Sequence, residues 1–371
     1  MQKTYLLIVS FFLVTIANAQ GPVAKKIPLK ITKHDVAYDD EYAWLENVNS
    51  NEVKNWVNEQ NVYSENHLKE VTKATNFLFK IKDYDYLSTN GLPSKNRKYF
   101  YTNYRLDKKK PSVLHYREKL NDMPRQLVDP FEIYKDENVV MSGIYPSKNS
   151  KYLAYKISPN GSDRHEIRFV DILNQKNLDD VLKDIKFSNA AWNDDKGIFY
   201  KKNSNKDFFA KDSTYQLYYH KLGEIQDKDA LVFDTSKDES DFRFFVRENK
   251  LLLFETNKEE TKRLYHYIDL SDETFKIKEF AVSNGDDFSY LYSKGDNVYF
   301  TNTKYDWGDV RSFNINKPEE VTSIIPQIYS HLLVDTDFTS EYIICKYKNL
   351  GKYYINIHNY DGTFVRKFEA P

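Results

Sequence analysis

From residue 98 onward the chain repeats one pattern six times: an aromatic or aliphatic strand, a polar turn of variable length, and a second strand. The copies open at KYFYTN (Lys98), KYLAYKIS (Lys151), GIFYKKN (Gly197), KLLLFETN (Lys250), NVYFTN (Asn297) and EYIICKYK (Glu341). Their partners are SVLHYR from Ser112, EIRFVDI from Glu166, YQLYYHKL from Tyr215, RLYHYIDL from Arg263, VRSFNI from Val310 and YYINIHNY from Tyr353. Successive copies start 53, 46, 53, 47 and 44 residues apart. Leu217 and Tyr219 alternate with Gln216 and Tyr218, the period of two that a sheet requires. A recurrence of about 40 to 50 residues built from antiparallel strands predicts an all-β fold, a β-propeller in which each copy is one four-stranded blade. The segments RQLVDPFEI, LVFDTS, KIKEFAV and EEVTSIIP follow the paired strands and are expected to be outer strands. The propeller is assigned to residues 83–371, with six blade repeats of an expected seven. The competing architecture is an array of β-sandwiches whose spacing coincides.

Composition supports sheets. Tyr 30 and Phe 24 against only 11 Gly favour pleated, half-buried surfaces. Residues 20–82 carry a different period. Trp44, Leu45 and Val48, then Val53, Trp56, Val57 and Gln60, follow the spacing of an amphipathic helix. Ser50 or Asn51 is a suitable N-cap, Glu52 and Glu59 mark the polar side, and Phe77, Leu78 and Ile81 form a second helical stretch. Such an arm has an apolar face and no role in a propeller, so it must pack on something.

Residues 1–19 read as a secretory signal peptide: Lys3, an apolar run from Tyr5 to Ala17 broken by Ser10 and Thr15, and the small residues Ala17-Asn18-Ala19 before Gln20. The run is shorter than the roughly 20 residues a spanning helix needs. No later stretch is apolar enough to span, so the expectation is export, periplasmic or secreted, with no membrane partner. Lys+Arg of 54 against Asp+Glu of 55 leaves no footprint for nucleic acid or anionic lipid. Cys345 is the only cysteine, so the fold must be held by its core. Its setting in EYIICKYK makes it a buried small apolar residue on a strand.

The stretch DEYAWLENVNSNEVKNWVNEQN (Asp40 to Asn61) resembles the N-terminal signature of the prolyl oligopeptidase family, an acidic-aromatic DPYRWLED segment followed by a helix with WV and QN. Glu41 stands where the family often has Pro, and Ala43 where it often has Arg. YLAYKISPNGSDRHEI (Tyr152 to Ile167) is similar to the family motif ending in GSDW, with Arg164 in place of Trp. IKFSNAAWNDDKGIFY (Ile185 to Tyr200) and RQLVDPFEI (Arg125 to Ile133) resemble two further family segments. The matches lie in order over residues 22–215. The resemblance implies a seven-bladed propeller capping an α/β-hydrolase domain, access limited to short peptides, and serine-type cleavage after proline. It also implies that Trp44, Leu45, Trp56 and Val57 contact the hydrolase domain, and that Phe187, in KFSNAAW, lines the outer part of the peptide pocket. A ring face there would stack on proline or an apolar side chain. The alternative for Phe187 is a place in the blade core; Trp192 in the same motif is expected to be structural.

The family's nucleophile sits in a G-x-S-x-G elbow, and none of the eleven glycines begins one; Gly161-Ser162-Asp163 is the nearest trace. No catalytic residue, metal ligand or cofactor is therefore expected in this chain. The histidines His115, His220, His266 and His358 occupy similar places on the partner strands and read as structural. DTSKDESD from Asp234 lacks the final Glu of a calcium loop and reads as a solvated loop. Two other functions compete: a stand-alone secreted propeller that binds peptides or proteins, and a propeller glycosidase, for which no carboxylate pair recommends itself.

Overall fold

The computed structural model describes residues 21–369 apart from 74, 76, 85–90, 106–109, 137, 204–214, 238, 239, 286 and 303. The expected signal peptide lies outside the described residues. The chain forms two compact units, Met1–Ser88 and Thr89–Pro371. Among the described residues no helix is long and apolar enough to cross a membrane.

The N-terminal unit opens with a hairpin, Leu29–Lys33 paired with Val36–Asp40. His34 and Asp35 both have positive φ (53° and 62°), the two-residue turn whose twist suits paired strands. A 3₁₀ turn, Ala43–Glu46, leads to helix α1, Asn51–Lys73, and then to α2, Phe77–Tyr84. Ser50 is the N-cap: its Oγ accepts from the Val53 N–H at 3.2 Å. The residues before α1 fold back onto its first turns. Trp44 and Trp56 meet edge to face at 6.4 Å, and the Trp44 indole donates to the Lys25 carbonyl at 2.7 Å. Gln60 donates to the Pro22 carbonyl. The later apolar residues of the arm stay uncovered: Val62, Leu68, Val71, Phe77, Phe79 and Ile81 are all exposed. The side chain of Leu78 lies outside the described residues.

The second unit is a propeller of six four-stranded antiparallel sheets. Their first, innermost strands are Ser94–Asn96, Val140–Pro146, Ala190–Asn193, Asp241–Arg247, Ser289–Lys294 and Leu332–Phe338. The strand pairs read from the sequence are the second and third strands of blades 1 to 6, in order. The innermost strand therefore precedes each sequence copy. The outermost strands are Arg125–Val128, Lys176–Ile185, Ala230–Asp234, Ile277–Asn284, Lys317–Ile325 and Phe364–Glu369. One expected outer strand ends early. In RQLVDPFEI, Pro130–Tyr134 is a helical turn, because the Asp129 carboxylate caps the Phe131 N–H at 3.0 Å and Pro130 fits the first helical position.

Five hydrophobic clusters lie between successive blades. Tyr101, Leu153 and Ile157 belong to the first, Phe169, Leu182 and Trp192 to the second, Phe199, Leu217 and Phe244 to the third. Phe280, Phe300 and Phe313 join blades 4 and 5; Val310, Ile343 and Cys345 join 5 and 6. Cys345 is fully buried, and burial pushes its thiol up to about 12. Polar fastenings follow the same order around the face of the first-to-second-strand turns. The Lys98 N–H donates to Ser150 Oγ, Lys148 pairs with Asp194, the Gly295 N–H donates to Glu248, and Lys294 donates to the Ser340 carbonyl.

The four partner-strand histidines occupy two registers. His220 and His358 lie opposite Ile198 and Ile343, near the turn, while His115 and His266 lie opposite Thr102 and Leu253, further along. His220 is the most committed. Its Nδ1 is 2.7 Å from Asp229 and its Nε2 is 3.1 Å from Asp180 on the outermost strand of blade 2. These side chains are 1%, 2% and 8% exposed. Asp229 also accepts from Tyr200 Oη at 2.7 Å, and Asp180 from the Gly223 N–H at 2.6 Å. Burial opposes charge on the ring, but the Asp229 and Asp180 carboxylates outweigh it and hold the imidazole protonated above its usual 6.5. Its contribution to stability is thus complete below 6.5 and is lost as pH rises through the folded-state value. Urea unfolding should show the wild type weakening as pH rises above 6.5, while His220→Gln, starting about 3 to 5 kcal/mol lower, lacks this component. A wild type whose stability is flat over that range removes the protonated bridge.

Candidate functional site

The site is assembled where the outermost strand of one blade crosses to the innermost strand of the next. Phe187 lies in the crossing between blades 2 and 3, after Ile185 and before Ala190. Its backbone φ is 49° and its side chain is 58% exposed, so the core alternative for this residue is ruled out. A bulky residue with positive φ is strained, and such strain persists only where the surroundings enforce it. Ser188 supplies that enforcement. The Lys201 N–H donates to its Oγ at 2.7 Å, that Oγ donates to the Asn189 carbonyl at 2.6 Å, and Lys156 Nζ donates to its backbone carbonyl at 3.0 Å. Burial pushes the Lys156 ammonium below its usual value. The two flanking blades therefore clamp the residue next to Phe187 and turn its ring outward. Trp192 does the structural work expected of it: it is buried, and its Nε1 donates to the Tyr145 carbonyl of blade 2 at 2.7 Å.

Beside Phe187 opens a cavity of about 760 Å³, walled by blades 3, 4 and the start of 5. Phe254 and Tyr290 stand 4.9 Å apart on one wall, and Phe254 meets Tyr265 at the same distance. Lys201 forms part of the floor. Its ammonium, 8% exposed, is 2.8 Å from Asp241, 3.3 Å from the Phe242 carbonyl and 4.0 Å from the Tyr215 ring centroid. Asp241, from the stretch read as a solvated loop, is thus the counter-charge of a buried cation. Neither Lys201, Asp241 nor Arg243 could be singled out beforehand, because a lysine in a strand or an acid in a polar run signals nothing without its neighbour across the junction.

Acyl-transfer chemistry needs a serine hydroxyl hydrogen-bonded to a histidine that is oriented by an acid. Among the described residues no serine hydroxyl is hydrogen-bonded to a histidine nitrogen. Ser240, Glu255 and His266 form the nearest arrangement, but in the wrong order. Ser240 Oγ donates to Glu255 at 2.5 Å, and His266 Nε2 lies 3.3 Å from the other oxygen of the same carboxylate. The His266 contact, with Ser240, lowers the Glu255 pKa against burial, which is stabilisation of an anion and not activation of an alcohol. No group of three or more metal-ligating side chains occurs among the described residues.

Residues 22–371 match the model of the prolyl oligopeptidase N-terminal beta-propeller domain, and the chain belongs to that family. It is similar to a prolyl endopeptidase of Elizabethkingia meningoseptica, 28% identical over 223 residues, which cover 58% of this chain and 31% of the relative. It is also similar to prolyl oligopeptidase A of Galerina marginata, 25% identical, covering 93% of this chain and 53% of the relative. Among solved structures, prolyl oligopeptidase B of Galerina marginata bound to a 35mer hydrolysis and macrocyclization substrate has a TM-score of 0.73 at 20% identity, over 94% of this chain and 54% of that one. Oligopeptidase B from Leishmania major has a TM-score of 0.76 at 14% identity, over 95% and 54%. The chain spans about half the length, or less, of these relatives.

The Lys201–Asp241 pair is unequal: the lysine is buried, whereas Asp241 is 66% exposed. Lys201→Met leaves an acid that water can solvate and should cost only about 1 to 2 kcal/mol. Asp241→Ala leaves a buried cation without its counter-charge and should cost more, about 3 kcal/mol. Urea midpoints of the two variants check the order; Lys201→Met as the more damaging change contradicts the assignment.

Proposed function

We propose that this chain is the propeller portion of an exported prolyl-oligopeptidase-like serine peptidase acting on short proline-containing peptides. The propeller restricts which peptides enter. Hydrolysis belongs to an α/β-hydrolase domain, since the 371 residues contain no G-x-S-x-G elbow. One observation carries the reading: Phe187, exposed and turned outward, lines a cavity of about 760 Å³ together with five other rings, Tyr215, Phe242, Phe254, Tyr265 and Tyr290. Rings of this kind suit proline, whose flat apolar face stacks with little entropy left to lose.

Contact with the hydrolase domain is assigned to the N-terminal arm. Trp44, Leu45 and Trp56 are half-buried and Val57 is exposed, continuing into the uncovered residues Val62, Leu68 and Val71. Export follows from the signal-like residues 1–19, with cleavage near Ala19.

The test is binding of a labelled proline-containing hexapeptide to the purified chain, followed by fluorescence anisotropy. Phe187→Ala should weaken binding about two- to tenfold, the worth of one aromatic contact, and leave the melting temperature unchanged because the ring is not in the core. Equal affinity in the variant, or no binding by the wild type, rejects the reading.

A further inference from the structure

The cavity wall holds a cation that has no partner among the described residues. Arg243 is on the innermost strand of blade 4, paired in register with Phe254, and its exposed side chain lines the cavity. Among the described residues it makes no hydrogen bond, ion pair or ring contact. The other lining cations are engaged: Lys201 with Asp241, and Lys258 and Arg263 with contacts of their own. The two lining acids are Asp241, held by Lys201, and Glu260 on the turn between the second and third strands; neither is within ion-pair distance of Arg243.

A guanidinium offers five donors in a planar fork that matches a carboxylate with two parallel hydrogen bonds. Beside it, Phe254 and Tyr290 offer ring faces, and Phe187 stands in the same lining. The geometry points to a carboxylate-selective subsite: Arg243 takes a carboxylate of the bound peptide, from an acidic side chain or a free C-terminus, while the rings take the proline or apolar residue beside it. The subsite rests on the peptide-binding reading above. It makes Arg243 a specificity-determining residue, with no part in bond cleavage.

Three labelled hexapeptides of one proline-containing sequence test it: neutral and amidated, amidated with one glutamate, and neutral with a free C-terminus. The wild-type chain should bind at least one carboxylate peptide about tenfold or more tighter than the neutral one, the worth of a charge-assisted contact, and which one does so tells side chain from terminus. Arg243→Ala should abolish that preference while leaving affinity for the neutral peptide and the melting temperature unchanged; Arg243→Lys should restore part of it. If all three peptides bind the wild type equally, or Arg243→Ala keeps the preference, the subsite is wrong and the peptide-binding reading stands. If none binds, both fall.

Discussion

Blades 2 to 5 of this propeller are apolar on both faces, and a neighbouring blade covers each face. The second strands show the constraint most directly. In GIFY, Ile198 and Tyr200 enter the cluster shared with blade 2, and Phe199 between them enters the cluster shared with blade 4. In KLLLF, Leu251 and Leu253 face blade 3 and Leu252 faces blade 5. In NVYF, Val298 and Phe300 face blade 4 and Tyr299 faces blade 6. One strand thus serves two junctions by alternation alone, as its period of two dictates. The angular position of each blade is fixed by these ring packings, and with it the crossings that carry the cavity.

The same constraint explains what could be read from the sequence. Strands buried on both faces become near-continuous apolar runs, so the second strands stood out and fixed the period. Innermost strands such as Ser94–Asn96, written SKN, or Asp241–Arg247, with alternating charges, have one side open toward the axis and leave no such run. The arm helix was legible from Val53, Trp56 and Val57. The hairpin before it was not, since His34-Asp35 lacks the Asn-Gly signal of its turn type. Phe187 came from family likeness, which gave its place in the motif but not whether its ring faced in or out. That choice is made by Lys156 and Lys201, from two different blades, acting on Ser188. Contacts between residues 32 and 13 positions apart, set by sheet stacking, have no local pattern to betray them.

Lys156 and Lys201 occupy the same place in successive repeats, directly after the last junction-facing ring of YLAY and GIFY. Each sends its ammonium forward to the start of the next blade, Lys156 to the Ser188 carbonyl and Lys201 to Asp241 and the Phe242 carbonyl. Lys201 is buried and Lys156 half-buried, so each ammonium loses water at a cost that its hydrogen bonds to the next blade offset. In blade 4 the equivalent residue is Phe254. It packs on Tyr290 at the entrance of blade 5 and has no donor to offer. The polar tie is replaced there by a ring pair, and Ser289 beside it lines the cavity. The cavity lies beside this aromatic junction. The Lys156 ammonium and the Lys201 backbone N–H hold Ser188, next to Phe187, on one side, and the aromatic junction of blades 4 and 5 lines the cavity on the other. With Phe254 in the place of a lysine, this wall presents rings where the two preceding junctions present ammonium groups.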